Sequence, residues 1–140
     1  MLIELIGSEQ IRPGKALDIC CGAGSNPIYL AKQGFSVTRL DISDYAVIHA
    51  RKKARESYAE MDLLVGSFLS LPFKQAEFNL IFDFGCFHHV SVEKRTPFIT
   101  GVHRVLKPNG TYVLTCARTP PEHTQDYCRT SGELSNLKTE

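Results

Sequence analysis

The stretch ALDICCGAGSNPIYLAKQG, Ala16 to Gly34, joins a hydrophobic run and an acid to two cysteines, two glycines and a helical pattern. The apolar run predicts a buried strand that ends near Cys20. Asn26 and Pro27 are typical of a helix start, and Gly34 is typical of the residue just past a helix end. This order of strand, loop and helix admits three interpretations: a nucleotide cradle, a thiol or metal site, or a tight turn without a ligand.

The same alternation of strand and helix continues along the chain. Further strand-like runs are FSVTRLD (35–41), MDLLVGS (61–67), FNLIFDFG (78–85) and TYVLTCA (111–117). One helical run begins after Ser43 and extends to about Tyr58. Another begins at Ser91, and Pro97 must lie in its first turn or break it. The alternation predicts an α/β fold, in which helices cover both faces of a parallel sheet.

The composition indicates one ordinary globular domain. The chain has 140 residues, of which 43% are hydrophobic and 22% charged, with a net charge of +1. We expect a core over 1–117 and a polar C-terminal tail over 118–140. Nothing in this balance favours a nucleic acid or membrane partner, and we see neither a membrane span nor a signal peptide. Four cysteines in hydrophobic contexts predict reduced thiols and a cytoplasmic location: Cys20, Cys21, Cys86 and Cys116.

Two glycines and two acids are placed for a nucleoside-binding site. Gly22 and Gly24 follow the first strand, and open α/β sheets bind ligands beyond the carboxyl ends of their strands. Without side chains there, backbone N–H groups can approach a ligand closely. Asp18 could face a cation, and Asp41, at the end of the second strand, could accept hydrogen bonds from ribose hydroxyls. The combination predicts a site for a nucleoside with a cationic tail.

Other binding chemistries fit the residues less well. Pro27 stands where the dinucleotide fingerprint G-x-G-x-x-G needs a small residue, and no G-K-[ST] sequence is present for a phosphate loop. Cys86, His88 and His89 suggest metal ligands. However, adjacent residues on an extended chain point to opposite faces, and zinc ligands are usually two or more residues apart. We therefore expect no metal.

Five segments together resemble the class I S-adenosylmethionine-dependent methyltransferases. They lie in order between about Ile11 and Ala117: LDICCGAG, LDIS, VGSFLSLPF, FNLIFDFGCFHHV and RVLKPNGTYVL. The resemblance implies a Rossmann-like three-layer sandwich with strand order 3-2-1-4-5, S-adenosyl-L-methionine as cofactor and S-adenosyl-L-homocysteine as product. The segments GSFLSLPF and FDFGCFHHV are most similar to the branch that acts on small thiols, halides, thiopurines and tellurite.

The resemblance also assigns site residues. The methionine end of the cofactor would be lined by Asp18, Cys20, Gly22 and Gly24. Asp41 would hold the ribose, Ile42 would pack on the adenine, and Ser67 and Phe68 would border it. The residues near the sulfonium and its methyl group would be Phe84, Gly85 and Cys86. Two departures concern binding: Cys21 replaces a smaller residue, and Ser67 is a weaker acceptor than the acid often found at its position.

The implied reaction is an in-line displacement at a methyl group that its sulfonium leaving group already activates. A thiolate or halide acceptor needs no base, whereas a hydroxyl or amine usually does. No residue is an unmistakable base: His88 or His89 is either a general base or a helix-entry residue, and Asp83 is either a pocket acid or a cap. The predicted function is methyl transfer to a small-molecule nucleophile. The alternatives are a non-catalytic cofactor-binding remnant, truncated domain or helper subunit, and a nicotinamide-dependent oxidoreductase.

Both ends of the chain are short relative to this family, whose sheets usually end in two further strands at an antiparallel edge. We expect about five strands, without those last two, and a reduced lid before the first strand. The fifth strand would then be an exposed edge, which proteins usually cover. The tail could cover it, or a homodimer could form through it. Asn109 replaces a glycine in the turn before this strand, and asparagine tolerates the left-handed conformation.

Overall fold

A computed structural model describes residues 2–7, 11–20, 26–115 and 137–138. The strands are β1 (Lys15–Ile19), β2 (Ser36–Asp41), β3 (Asp62–Val65), β4 (Phe78–Phe84), β5 (Leu106–Thr115) and β6 (Leu137–Lys138). The helices are α1 (Leu2–Gly7), α2 (Asn26–Lys32), α3 (Asp44–Glu56) and α4 (Val92–Val105), with a 3₁₀ helix at Phe87–His89. Within these ranges, every helix is too short or too polar to cross a membrane.

The strands form one sheet in the order β3-β2-β1-β4-β5-β6, and the first five pair in parallel. The predicted order 3-2-1-4-5 is confirmed. Parallel neighbours need right-handed crossovers, so α2 and α3 cover one face of the sheet and α4 covers the other. The chain runs outward from β1 in one direction and later from β4 in the other, and this change of direction creates a crevice at the carboxyl ends of the two strands.

Alternate residues of the central strands supply two separate hydrophobic clusters. Leu17 of β1 packs on one face with Phe98 and Val102 of α4. Ala16, its neighbour in sequence, packs on the opposite face with Leu30 of α2. Because successive side chains of a strand point to opposite faces, an unbroken apolar run such as that of β1 is expected of a strand covered on both sides.

The helix ends mostly follow the capping signals in the sequence. Ser43 is the N-cap of α3, since its hydroxyl accepts a hydrogen bond from the amide of Ala46 at 3.2 Å. Gly34 follows α2 with φ of 87°, as its position after the helical pattern predicted. The prediction that α3 extends to Tyr58 was wrong. The helix ends at Glu56, and Tyr58 is 96% exposed with φ of 54°.

The expectation that Pro97 lies in the first turn of its helix or breaks it was also wrong. The helix α4 runs from Val92 to Val105 with Pro97 inside it. Proline cannot donate a hydrogen bond to the carbonyl of Glu93, four residues earlier. Both residues are exposed, so water can satisfy that carbonyl, and the buried Phe98 and Val102 hold the helix on the sheet.

The outer edge of the sheet differs from the predicted one. The strand β5 begins at Leu106, before the turn sequence KPNG, and its pairing with β4 shifts register there. Asn109 has φ of 60°, the left-handed conformation expected of it. The short strand β6 pairs antiparallel with β5 at Thr111 and Tyr112, so the chain's own C-terminal part covers some of the edge predicted to be free. The predicted boundary between 117 and 118 lies outside the described residues.

Candidate functional site

The strand order reverses between β1 and β4, and this topology locates the candidate site. The chain continues from β1 into α2 on one face of the sheet, and from β4 towards α4 on the other. The loops that follow these two neighbouring strands therefore separate and leave a crevice at their carboxyl ends, where open α/β sheets bind ligands. The predicted loop residues Cys21, Gly22 and Gly24 lie in 21–25, outside the described residues.

At the end of β2, a carboxylate lies beside an exposed apolar side chain. Asp41 is half-buried, and its Oδ1 accepts a hydrogen bond from the amide of Ser43 at 2.9 Å. Its carbonyl accepts one from the amide of Gly66 at 2.8 Å, which ties the ends of β2 and β3 together. Ile42, the residue after β2, is 66% exposed, although Leu40 within β2 is buried. This arrangement presents hydrogen-bond acceptors and an apolar surface at one edge of the crevice.

The two residues predicted to border the adenine follow β3 and are held in different ways. Ser67 is half-buried, and its hydroxyl accepts a hydrogen bond from the amide of Leu69 at 3.2 Å. The ring of Phe68 packs edge to face against Phe98, with 6.0 Å between the ring centroids, and so belongs to the core of the α4 face. The exposed apolar surface beside them comes from Val65 and Leu69.

Asp18 is not the spare carboxylate that the sequence suggested. It is 1% exposed, and its Oδ2 lies 3.0 Å from Nε of Arg39, its register partner on β2. Burial raises the pKa of Asp18 to about 7, while the positive charge of Arg39 opposes that rise. The cation that Asp18 faces is therefore an arginine of the same chain, because two charges buried side by side on neighbouring strands must pair.

The loop after β4 is organised by Asp83, which resolves the alternative left open for this residue. Its carboxylate accepts hydrogen bonds from the amides of Cys86 and Phe87 and, at 3.1 Å, from the hydroxyl of Tyr112. Burial raises the pKa of Asp83 to about 6, and these hydrogen bonds oppose the rise. Asp83 is 1% exposed, and it accepts the amides of Cys86 and Phe87 at the start of the 3₁₀ helix, so it acts as a structural acceptor.

Gly85 and two histidines shape the crevice side of this loop. Gly85 has φ of 101°, and a Cβ atom there would lie 2.9 Å from Cε1 of His88. The imidazole of His88 is half-buried, and burial together with the neighbouring His89 lowers its pKa. His88 is therefore neutral near pH 7 and can accept a proton. Phe84, the last residue of β4, is 61% exposed.

The structure contradicts the expectation that Cys20 and Cys86 are separate reduced thiols. The two residues form a disulfide bond, with their Cα atoms 5.4 Å apart. Cys20 has φ of 54° and directly follows β1, while Cys86 is 2% exposed and follows β4. Cys21 and Cys116 lie outside the described residues. Throughout the part of the chain that the structure describes, no three histidine, cysteine or acidic side chains are grouped to hold a metal ion.

A second concave surface lies at the opposite ends of β2 and β3. It encloses about 1010 Å³ and is lined by residues that include Ser36, Arg51, Arg55 and Asp62. It is shallow and carries charges of both signs. Because it lies at the amino ends of the strands, we assign the ligand site to the crevice between β1 and β4, on topological grounds.

Residues 16–110 match the protein family described as the methyltransferase domain. The chain belongs to this family. An uncharacterized methyltransferase of Synechocystis is 37% identical over 105 residues, which cover 74% of this chain and 48% of the relative. EEF1A lysine methyltransferase 2 of Homo sapiens is 31% identical over 132 residues, covering 88% of this chain and 56% of the relative. The solved structure of YcgJ from Bacillus subtilis has a TM-score of 0.75 and 27% identity, over 86% of this chain and 52% of that one.

These matches confirm the fold expected from the resemblance, and they show membership of the methyltransferase family. This chain spans about half the length of the Synechocystis and human relatives. An S-adenosylmethionine-dependent family implies S-adenosylmethionine as the cofactor. The methyl acceptor is a separate question, which belongs to the site rather than to the fold.

Two structural residues of the site region were not identified from the sequence. Arg39 neutralises Asp18, and Tyr112 donates to Asp83. The signal for Arg39 was present: a charged residue inside the apolar run FSVTRLD must find a partner when the strand is buried. The partner itself depends on strand register, which no local pattern reveals.

Proposed function

We propose that the chain binds S-adenosylmethionine in the crevice and transfers its methyl group to a small-molecule nucleophile. The observation that carries the proposal is that the carboxylate of Asp41 and the exposed side chain of Ile42 lie next to each other at the end of β2, within a chain of the methyltransferase family. A half-buried carboxylate suits the two ribose hydroxyls, and an isoleucine that is 66% exposed suits an adenine ring.

The described residues fit the cofactor in their chemistry. Gly66, after β3, is tightly packed, because a Cβ there would lie 2.8 Å from the side chain of the buried Leu40. We place the adenine between Ile42 and the segment of Ser67 and Phe68, and the methionine end beside Cys20. The roles of Gly22 and Gly24, and any contact of Asp18 with the cofactor, stay predictions.

When bound, the cofactor supplies a methyl group already activated by its positive sulfur. The chain must then hold the acceptor about 3 Å from that methyl, in line with the departing sulfur, and keep water away. Phe84 and Gly85 stand where the acceptor would enter, after β4. A thiolate or halide needs no further help, whereas an amine or hydroxyl could pass a proton to neutral His88.

The first test is calorimetric titration of the full chain with S-adenosylmethionine and with S-adenosylhomocysteine, with NADH as a negative control. We expect saturable binding of both sulfur compounds and none of NADH. Asp41→Ala should weaken binding by at least tenfold, equivalent to about 1.4 kcal/mol. Asp62→Ala is the matched control, because Asp62 is an exposed acid at the far end of the adjacent strand β3. The Asp62→Ala variant should bind both sulfur compounds with the affinity of the wild type.

Turnover separates an enzyme from a non-catalytic binder. Purified chain with methyl-labelled S-adenosylmethionine should transfer label to at least one member of a panel of thiols, halides and small amines. A lysine peptide belongs in the panel because the human relative is a lysine methyltransferase. Binding without label transfer to any acceptor would favour the cofactor-binding remnant or helper subunit. Binding of NADH instead would favour the oxidoreductase.

We also keep the proposal of a homodimer through the edge of β5. In the described part of the chain, β6 pairs with Thr111 and Tyr112, two positions in a strand of 10 residues. A second copy could pair with the remaining length of that edge, because proteins usually cover the edge strands of a sheet. Light scattering should give twice the chain mass of 15.6 kDa, and a monodisperse monomer would contradict the dimer. A cytoplasmic location likewise stays a prediction.

A further inference from the structure

Two aromatic rings lie next to Gly85, at the carboxyl end of β4. Phe84, the last residue of the strand, is 61% exposed, although the residues before it in β4 are buried or half-buried. The ring of His88 lies against Gly85, because a Cβ atom there would be 2.9 Å from its Cε1 and 3.5 Å from its Nδ1. An exposed phenyl ring and an imidazole therefore adjoin the same glycine at the crevice.

The short 3₁₀ helix directs His88 away from the core. Phe87 packs on Phe98, with 5.8 Å between the ring centroids, and so lies on the α4 face. A 3₁₀ helix has about three residues per turn, so the next side chain points about 120° away from that of Phe87. The amide of His89 donates to the carbonyl of Cys86 at 2.9 Å and closes this turn. The backbone therefore sets the position of the His88 ring before any ligand binds.

The two ring nitrogens of His88 have different surroundings. Nδ1 is buried and has no hydrogen-bond partner in the described chain. Nε2 also has no partner among the described residues, but it is accessible. Burial and the neighbouring His89 lower the pKa of His88, so the imidazole is neutral near pH 7. Nε2 is therefore the ring nitrogen that a molecule in the crevice can reach.

The stretch 84–92, which contains both rings, carries no aspartate, glutamate, lysine or arginine. Arg95 of α4 reaches back to this stretch, but its Nε donates to the carbonyl of Val90 at 3.2 Å and its guanidinium lies over the ring of Phe87. An anionic acceptor would find no cation within the stretch itself, and a lysine side chain would find no acid there. This surface suits a neutral molecule better than a charged one.

We propose that the methyl acceptor is a neutral aromatic molecule with a hydroxyl or amine nucleophile, whose ring packs on Phe84 and whose O–H or N–H donates to Nε2 of His88. The inference rests on the proposed function and deepens it, because it selects one class among the small-molecule acceptors. Aromatic rings favour stacked or edge-to-face contacts with other rings, and such a contact would cover the exposed face of Phe84. His88 is then a catalytic residue, and Phe84 determines specificity.

The step balances in atoms and charge. The nucleophilic oxygen or nitrogen forms a bond to the methyl carbon, the carbon–sulfur bond breaks, and its electron pair stays on sulfur. The proton of the nucleophile passes to Nε2 of His88, so the positive charge of the sulfonium ends on the imidazole. Nδ1 has no partner for the N–H of a charged ring, so the imidazolium passes its proton on to water.

The test uses three acceptors that share one ring and differ in the nucleophile: para-cresol, para-toluidine and para-thiocresol. Each is incubated with the full chain and methyl-labelled S-adenosylmethionine, and we expect label transfer to the phenol and the amine. In His88→Gln both rates should fall by about 100-fold, within the usual contribution of a general base. Transfer to the thiol should not depend on His88, because an aromatic thiol is ionised near neutral pH and needs no base.

Two further histidine variants serve as controls. His103 is an exposed histidine in the last turn of α4, and His103→Gln should keep the wild-type rates. His89→Gln should retain most of the rate, because the ring that lies against Gly85 is that of His88. Each variant should bind S-adenosylhomocysteine as the wild type does, which shows that it is folded. If His88→Gln does not fold, His88→Asn carries the same test.

A second measurement does not depend on turnover. Addition of para-cresol to the chain saturated with S-adenosylhomocysteine should shift the NMR signals of the His88 imidazole and leave those of His103 unchanged. Methylcyclohexanol, the saturated counterpart of para-cresol, should bind about fivefold more weakly, because it cannot make a ring–ring contact with Phe84. Phe84→Ala should remove this preference for the aromatic compound.

Three results would overturn the inference. The first is a chain that binds S-adenosylhomocysteine but labels neither para-cresol nor para-toluidine, whether or not it labels para-thiocresol, iodide or a lysine peptide. The second is an equal effect of His88→Gln on the phenol and on the thiol. The third is a loss in His89→Gln as large as in His88→Gln. Failure of the proposed function has a different signature, because the wild-type chain would then bind no S-adenosylhomocysteine.

Discussion

The carboxyl ends of the strands form the rim of the crevice. The half of this rim at β1 and β4 and the half at β2 and β3 are built in opposite ways. On the β1–β4 side, the polar groups are buried and face one another. Asp18 faces Arg39, Asp83 faces the amide of Cys86, and Cys86 is bonded to Cys20. Among the described residues of that half, these buried polar groups have partners within the chain.

The β2–β3 side is open. Ile42 is 66% exposed, Val65 56% and Leu69 39%, around the half-buried Asp41. Apolar side chains left exposed together beside a carboxylate mark surface that a ligand would cover. The difference teaches that the two halves contribute differently: the β1–β4 half keeps its charges paired in the core, and the β2–β3 half leaves exposed area for the adenine end of the proposed cofactor.

The largest expected effect follows from breaking the buried pair. Arg39→Met leaves Asp18 without its cation at 1% exposure, and we expect the free energy of unfolding to fall by about 3–5 kcal/mol. Urea denaturation measures this loss of unfolding free energy. The double variant Asp18→Asn with Arg39→Met removes both charges and should recover most of the loss. A loss below about 1 kcal/mol in the single variant would show that the pair contributes as little as a surface ion pair.

The next effect concerns the loop after β4. Gly85→Ala forces a side chain onto φ of 101° and a Cβ to within 2.9 Å of His88, so we expect a loss of about 2 kcal/mol in urea denaturation. The control is Gly101→Ala in α4, where a Cβ would meet nothing within 4 Å. That change should raise stability by about 0.5–1 kcal/mol, because alanine favours a helix more than glycine does. If both variants changed the free energy of unfolding by the same amount, the loop after β4 would not be constrained by Gly85 and His88.

A smaller effect is a change in how the free energy of unfolding depends on pH. The pKa of Asp83 in the folded chain is about 6, above its ordinary value of 3.8, so the folded state holds the proton more tightly than the unfolded state does. The stability it contributes is therefore lost as pH rises from about 4 to about 6. Between pH 5 and pH 7, wild-type stability should fall by about 1 kcal/mol more than that of Asp83→Asn, which does not titrate.

The comparison of the two proteins measures this contribution together with a smaller one from Asp18. The pKa of Asp18 is also raised, in part by the charge of Asp83, so Asp18 contributes a slope of the same sign in both proteins that cancels only in part in the difference. Urea denaturation at the two pH values is the measurement. Identical slopes for the wild type and Asp83→Asn would mean that this carboxyl titrates near its ordinary pKa.

The smallest effect tests the open half. Ile42→Ser removes apolar surface from the proposed adenine side, and we expect about fivefold weaker binding of S-adenosylhomocysteine, with little change in unfolding free energy. Tyr58→Asn is the control, since Tyr58 is 96% exposed beyond the far end of α3 and asparagine accepts its φ of 54°. If both variants bind like the wild type, the exposed surface around Ile42 is not the adenine side.

Local patterns predicted most of the architecture. Strand and helix types, the N-cap at Ser43, the left-handed turn at Asn109 and the strand order all came from spacing, capping chemistry and family resemblance. These features depend on contacts between residues close in sequence, or on topological rules that hold for any parallel sheet. For the same reason, Asp41 and Ile42 could be named as candidates from their position after a strand.

Only the tertiary structure decided which polar groups pair. Asp18 with Arg39, Asp83 with Tyr112 and Cys20 with Cys86 join residues from different strands or loops, 21, 29 and 66 positions apart. A buried charge or thiol must find a partner, but the sequence predicts only that a partner exists and does not identify the residue. The partner is chosen by register across the sheet, where a shift of one residue would turn each side chain to the other face, and that choice is made only when the strands meet.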